Sequence, residues 1–347
     1  MRAPLNQPFR IATGQHSLLE NALFVIELSD GTKGYGEAGV APHITGETLA
    51  QTAANLTRIG RKLIGKDLSR YLEISSWLHS ERPLNKAALA AVEMAVFDAL
   101  ARRMRIPLWK LFGVTPCKLT TDITIVLSDL PETKAGAARF YRRGFRKFKI
   151  KIGGDFDVDL SRVAAVSRAC RGCELLLDAN QGYTPEEMLR FLRELKRMKI
   201  VPALLEQPVK KADWDGLKEV AAKSSVPVCA DESCSSIGDC LRIIREKAVP
   251  AINIKVMKTG IVHSREIARL CRANNIRLMI GAMMESSLAT TASAHMAAGL
   301  GCFDFIDLDT PFFIKRGYDR NPWLSRAGVY DLSRVKAGIG IIPVERS

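Results

Sequence analysis

Six short motifs place a charged residue directly after a run of apolar residues. Lys149-Ile-Lys151 lies within residues 148–152, and Asp178-Ala-Asn180 follows residues 175–177. Glu206-Gln-Pro208 follows 203–205, Asp231-Glu-Ser233 follows 226–230, Lys255 follows 251–254 and Asp307-Leu-Asp309 follows 303–306. Asp178 and Glu206 are 28 residues apart and Glu206 and Asp231 are 25 apart, the length of one strand-plus-helix repeat. Each acid taken singly reads equally well as a helix N-cap. Three on one rim repel one another unless a cation lies between them, and an all-oxygen set favours a hard ion such as Mg²⁺.

The lysines suit the same chemistry. Removing a proton alpha to a carboxylate creates an enediolate, whose charge a cation stabilises where it develops. A lysine acting as base must be neutral, so its pKa has to fall toward the working pH. Lys149, two residues from Lys151 on one strand face, and a nearby cation would both act in that direction. Lys151 and Lys255 close the second and sixth of eight apolar runs, opposite one another if the runs form a closed ring.

The elements that would position these groups are periodic. Apolar runs recur at 122–127, 148–152, 175–177, 203–205, 226–230, 251–254, 276–280 and 303–306. Amphipathic helical spacing separates them, as at 185–198 and 264–274. Continuous rather than alternating apolar runs suit parallel strands covered on both faces. Eight such units predict a (β/α)8-type barrel, in which chemistry sits at the carboxyl ends of the strands.

The chain before the runs has a different texture. Residues 21–28 read as a strand, Asp30-Gly31 as a hairpin turn and Gly34 to Gly36 as the start of the returning strand. Helices are expected over 48–63, 68–80 and 86–104, the last with Asn85 as its cap. The domain reading is an α+β capping domain over 1–117, a barrel over 118–319, and a C-terminal segment, 320–347, that returns to the capping domain.

Composition excludes several classes. Of 347 residues, 47% are hydrophobic and 25% charged, so a large core is available and general disorder is excluded. No 18-residue apolar stretch exists to span a membrane, and the first ten residues lack the apolar core of a signal peptide, so a soluble cytoplasmic protein is expected. The net charge is +14. The basic residues are spread out, with local pairs at Arg102-Arg103 and Arg142-Arg143, and lack the aromatic interleaving of a single-strand-binding surface. A solvated basic surface is expected rather than a nucleic-acid partner. Cys170 and Cys173 form one CxxC without a second ligand pair, which argues against structural zinc.

Lys149-x-Lys151, Asp178-x-Asn180, Glu206-Gln-Pro, Asp231-Glu-Ser and Asn253-Ile-Lys255 together resemble the enolase superfamily in its muconate lactonizing enzyme branch. Gly34-Tyr-Gly-Glu-Ala, residues 88–98 and Ile106-Pro-Leu-Trp-Lys-Leu-Phe-Gly113 resemble that branch's capping domain, so the similarity covers nearly the whole chain. Asp307-Leu-Asp309-Thr-Pro311 most resembles the dipeptide epimerases. The resemblance implies one Mg²⁺ per subunit on Asp178, Glu206 and Asp231, binding the substrate carboxylate. It implies Lys151 and Lys255 as acid–base groups on opposite faces of the alpha carbon, with Lys149 tuning Lys151. Asp307 and Asp309 would hold the dipeptide ammonium, Thr124 would contact substrate, and residues 281–287 would line the strand-seven side. A homo-oligomer is possible.

Two features depart from the family. Only seven residues precede Pro8, so either the first strand is short or the start of the chain has been assigned late. Members acting on L-Ala-D/L-Glu carry an arginine in the first loop, whereas 12–21 here has none, only Thr13, Gly14, Gln15 and His16 in its turn. A neutral or hydrophobic second residue is therefore expected over Ala-Glu. The alternatives are o-succinylbenzoate synthase, N-acylamino acid racemase and muconate cycloisomerase, whose substrates have no ammonium for the Asp307-x-Asp309 pair. A more distant alternative is a non-catalytic basic protein, binding nucleic acid or acidic glycan on a barrel scaffold.

Overall fold

The computed structural model describes residues 1–42, 46–81, 85–113 and 118–343. Strands β1 (Arg2–Ile11) and β2 (Gly14–Glu20) form an antiparallel hairpin whose register shifts between Pro4 and Phe9. The first strand is thus not short: it runs through the residues ahead of Pro8. Its edge is held by the turn after the last barrel strand, where the Asn6 amide donates to Phe313 O at 2.8 Å.

A second hairpin joins β3 (Ala22–Glu27) and β4 (Lys33–Ala38). Three helices follow, α1 (Leu49–Leu63), α2 (Tyr71–Ser80) and α3 (Lys86–Arg103). Helix α3 is alanine-rich because β4 lies directly on it. A Cβ on Gly36 would sit 1.9 Å from Ala91 O, and one on Gly34 would sit 2.2 Å from Ala95 O. Asn85 occupies the N-cap position of α3, but its side chain makes no cap bond. It donates instead to Thr52 Oγ1 at 2.7 Å, and the Glu47 carboxylate accepts from the amides of Lys86 and Ala87. A carboxylate at this end also complements the helix dipole.

After β5 (Lys118–Thr120) the eight predicted barrel strands follow: β6 (Ile123–Ile125), β7 (Lys147–Lys151), β8 (Glu174–Asp178), β9 (Leu204–Glu206), β10 (Val228–Ala230), β11 (Ala251–Lys255), β12 (Arg277–Gly281) and β13 (Phe305–Asp307). They form one parallel sheet in sequence order. The connecting helices are α4 (Leu130–Arg142), α5 (Phe156–Ala169), α6 (Pro185–Arg197), α7 (Trp214–Lys223), α8 (Ile237–Glu246), α9 (Val256–Ala273) and α10 (Ser287–Leu300). The sheet curls nearly closed, and its end strands meet where the Asp122 amide donates to Ile306 O at 2.9 Å and the Leu308 amide to Thr121 Oγ1 at 2.8 Å. Leu176, Leu204, Cys229, Ala251, Met279 and Phe305 pack together as a core within the barrel. Such inward layers make a solid core rather than a pore.

Helix α9 begins eight residues before the expected 264–274 segment and kinks at Gly260, where φ is 73°. Glu93 Oε2, from α3, lies 2.5 Å from where a Cβ would stand there. The C-terminal segment makes three backbone contacts with earlier parts of the chain. Strand β14 (Val329–Asp331) pairs with β5, the Gly338 amide donates to Ile106 O, and the Ile339 amide donates to Asp98 at 2.7 Å. Every cysteine among the described residues is free, Cys170 and Cys173 included. No helix among them is long and apolar enough to cross a membrane.

Candidate active site

The strand register puts the predicted groups on one rim. Lys151 pairs with Asp178 across β7 and β8, and Asp178 pairs with Glu206 across β8 and β9. Asp231 directly follows β10, and Lys255 ends β11. The five residues thus occupy the carboxyl ends of five consecutive strands, with one lysine at each end of the arc and the acids between. All are buried.

Lysine ammonium groups bridge the acids. Lys149 Nζ lies 2.9 Å from Asp178, 2.7 Å from Glu206 and 2.6 Å from Asp307. Lys151 Nζ donates to Asp178 Oδ2 at 2.6 Å, and Lys255 Nζ lies 2.7 Å from Asp231 Oδ2. Burial opposes the charge on Asp178, but Lys149 and Lys151 more than offset it and hold its carboxyl below the usual range. Lys255 and Lys258 do the same for Asp231. Glu206 goes the other way: burial and its neighbours Asp178 and Asp231 outweigh Lys149 and push it up to about 8. The Lys149 ammonium sits among three carboxylates. Burial disfavours its charge, yet Asp178, Asp307 and Glu206 outweigh burial and raise it well above the ordinary lysine range.

These acids fit a divalent cation. The set is all oxygen, the side chains are buried, and burial beside Asp178 and Asp231 disfavours the charge on Glu206, which a bound cation would offset. Among the described residues, however, the acids that approach one another most closely are a different trio. Oxygens of Asp122, Asp307 and Asp309 lie within 4.8 Å of one another, a spacing that also admits a metal. Lysines interposed on Asp178, Glu206 and Asp231 set the two groups apart.

One cavity is lined by Lys149, Lys151 and Lys255 and by Asp307 and Asp309. Its polar wall is Thr124, Lys149, Lys151, Asn180, Lys255, Asp307, Asp309 and Thr310, and its apolar wall is Phe9, Ile11, Ala282, Met283 and Met284, with His16 also lining it. Thr124 lines the cavity and its amide donates to Asp309 Oδ2 at 2.5 Å. Arg10 does not enter it: its guanidinium donates to Gln15 at 3.3 Å on the exposed face of the hairpin.

Several supporting side chains escaped the sequence reading. Lys258 Nζ donates to Asp231 Oδ1 at 2.7 Å, Asp231 O at 2.6 Å and Asn253 O at 2.9 Å. Asn253 donates to Glu206 Oε1 at 2.7 Å, and Gln207 Oε1 accepts the Asp231 and Ser233 amides. The Lys255-x-x-Lys258 spacing was a visible signal, since the fourth residue returns to the same side of a helical turn. Asp122 had a signal too, a charge opening an apolar run, though nothing in the sequence named its partners.

Residues 1–113 match the N-terminal domain of mandelate racemase and muconate lactonizing enzyme, and residues 132–347 match the enolase C-terminal domain-like family. The chain belongs to the enolase superfamily. Within that superfamily it is 48% identical to the hydrophobic dipeptide epimerase of Citrifermentans bemidjiense, over 99% of this chain and 95% of that one. It is 39% identical to the aromatic dipeptide epimerase of Herpetosiphon aurantiacus, over 97% and 95% of the two chains. The crystal structure of the Enterococcus faecalis dipeptide epimerase with Mg and L-Leu-L-Tyr superposes with a TM-score of 0.92 at 32% identity, covering 98% of this chain and 96% of that one.

Proposed function

We propose that this chain is a Mg²⁺-dependent dipeptide epimerase that inverts the alpha carbon of the second residue and favours apolar side chains there. One observation carries the reading: Asp307 and Asp309 line the same cavity as Lys151 and Lys255, together with apolar side chains. Carboxylates in the same cavity as the lysines suit a primary ammonium, which an acylated or dicarboxylic substrate lacks. Phe9, Ile11, Met283 and Met284 suit an apolar side chain, and among the described residues no arginine lines the cavity to pair with an acidic one.

The roles follow from placement. Asp178, Glu206 and Asp231 would hold the cation, which supplies electrostatic stabilisation of the negative charge that develops on the substrate carboxylate during proton removal. Lys151 removes or returns the alpha proton on one face and Lys255 does so on the other. Lys149 ties Asp178, Glu206 and Asp307 together and sets the distance between the carboxylate and ammonium ends of the substrate. Thr124 orients Asp309 through its amide. The domain limits 1–117, 118–319 and 320–347 and a cytoplasmic location belong to the same reading.

The test is purified protein with Mg²⁺ and pooled L,L-dipeptides in D₂O, followed by mass spectrometry. The expected result is a gain of one mass unit in dipeptides with apolar second residues, absent in Lys151→Ala and Lys255→Ala. Turnover of an N-acylamino acid with no exchange in any dipeptide would overturn the reading.

A further inference from the structure

The barrel closes where β6 meets β13, and there three carboxylates crowd together. Asp122 directly precedes β6, Asp307 ends β13 and Asp309 lies two residues beyond it, and an oxygen from each lies within 4.8 Å of the other two. All three are buried. The positive charge available is small. Lys149, from β7, reaches Asp307 at 2.6 Å but is shared with Asp178 and Glu206. The Thr124 amide serves Asp309. Neither oxygen of Asp122 has a hydrogen-bond donor. The other titratable groups that bear on the trio, Glu285 after β12 and the Tyr330 phenol on β14, bring no positive charge, and Tyr330 donates its hydroxyl proton to Leu308 O.

Two buried carboxylates in contact are both acceptors, so they repel unless one carries a proton, which then bridges them. Resting on the dipeptide reading, we propose that Asp122 is a positioning residue that holds a proton shared with Asp307, and that entry of the substrate's cationic amino terminus expels this proton to solvent. The ammonium replaces one positive charge by another and brings three donors in place of one. Burial and the two neighbouring aspartates push the Asp122 carboxyl well above the usual range, and burial with Asp307 pushes Asp309 up to about 7, in keeping with a retained proton near neutrality. The sign follows. A proton bound in the free protein and lost in the complex makes binding tighter as pH rises, so KM falls with pH.

The experiment is calorimetric titration of the Mg²⁺-loaded protein at pH 6.5 in two buffers of different ionisation enthalpy. The titrant is an equilibrated epimer mixture of the dipeptide that exchanges fastest in D₂O, so no net reaction adds heat. At that pH the dipeptide amine is already protonated, its ordinary pKa being about 8. Release of close to one proton per dipeptide is expected from the wild type, with a KM that falls on the order of tenfold from pH 6 to pH 8. Asp122→Asn keeps a donor toward Asp307 but has no proton to give, so it should release almost none and show a flat KM profile, the change falling on KM more than on kcat. Failure to release a proton from the wild type, or equal release from both proteins, overturns the proposal while leaving the epimerase reading intact. If Asp122→Asn does not fold, the wild-type proton count decides alone. Uptake of a second Mg²⁺ that Asp122→Asn abolishes would make the trio a metal site and also overturn it. Absence of exchange in every dipeptide overturns the epimerase reading itself, and the proposal with it.

Discussion

Lys258 and Lys255 hold opposite oxygens of one carboxylate: each ammonium lies 2.7 Å from Asp231, the first on Oδ1 and the second on Oδ2. Only Lys255 lines the cavity. Lys258 reaches back from α9 and also binds Asp231 O and Asn253 O, so it orients a proposed metal ligand without facing substrate. Lys258→Met is expected to weaken Mg²⁺ binding by about 10- to 100-fold, the usual cost of losing a group that orients a ligand. Titrating activity against Mg²⁺ checks this, and saturating Mg²⁺ should recover most of kcat.

Lys151 and Lys255 serve different faces of the alpha carbon. Replacing either by alanine should lower epimerisation by at least 10²-fold, the lower range for loss of a positioned acid–base group. The two variants should differ in which substrate epimer still exchanges its alpha proton with D₂O. NMR of an L,L and an L,D dipeptide offered separately reads this. Equal residual exchange from both epimers in both variants would argue against one lysine per face.

Glu93 gives stability a pH dependence away from the site. It is buried between α3 and α9, accepting from Ser75 Oγ at 2.5 Å and the Val262 amide at 3.0 Å. Burial outweighs these donors and raises its pKa from 4.5 to about 7. A carboxyl raised on folding binds more protons folded than unfolded between those values, so its contribution to stability falls as pH rises from about 4.5 to 7. The difference amounts to a few kcal/mol at most. Glu93→Gln should therefore show a flatter loss of denaturation midpoint between pH 5 and pH 7.5 than the wild type.

Glu37 clasps the capping domain to the barrel. It accepts from Asn21 Nδ2 at 2.6 Å, from the Ser286 amide at 2.8 Å and hydroxyl, and from the Ala289 amide at 3.3 Å, at the start of α10. Glu37→Ala leaves these donors buried without an acceptor and should cost about 3–5 kcal/mol. Thermal melts measure the loss. KM should rise as well, because Asn21 also donates to Met284 O at 2.9 Å and so helps hold the apolar wall.

His16 lines the same cavity as Phe9, Ile11, Met283 and Met284. His16→Arg would bring a fixed cation there, and kcat/KM for dipeptides with an acidic second residue should rise about tenfold relative to apolar ones, equivalent to about 1.4 kcal/mol. Competition between L-Ala-L-Glu and L-Leu-L-Tyr reads the ratio directly.

The eight barrel strands were legible because a parallel strand buried on both faces needs an unbroken apolar run, and six of the runs carry a charged residue at or just after their end. Lys151, Asp178, Glu206, Asp231 and Lys255 were therefore readable from position alone, together with the repeat length that lines them up. The long first strand was not readable, because its edge is supported by Phe313 and Ile314, some 300 residues later. Asn85 as a capping side chain failed for a related reason: Glu47 supplies a charged acceptor from another loop, and a carboxylate there outcompetes an amide.

What the sequence by itself determined was the order of elements, the chemical type of each rim group and the likeness to a family. Those depend on local periodicity and on residue identity, both of which survive in one dimension. Only the tertiary structure decided which charges meet. Asp122 joins Asp307 and Asp309 because the barrel closes there, and Lys149 binds three acids because strand register brings their oxygens within 3 Å of one nitrogen. Electrostatic energy falls off over a few ångströms, so the protonation of these groups is a property of the closed barrel and has no counterpart along the chain.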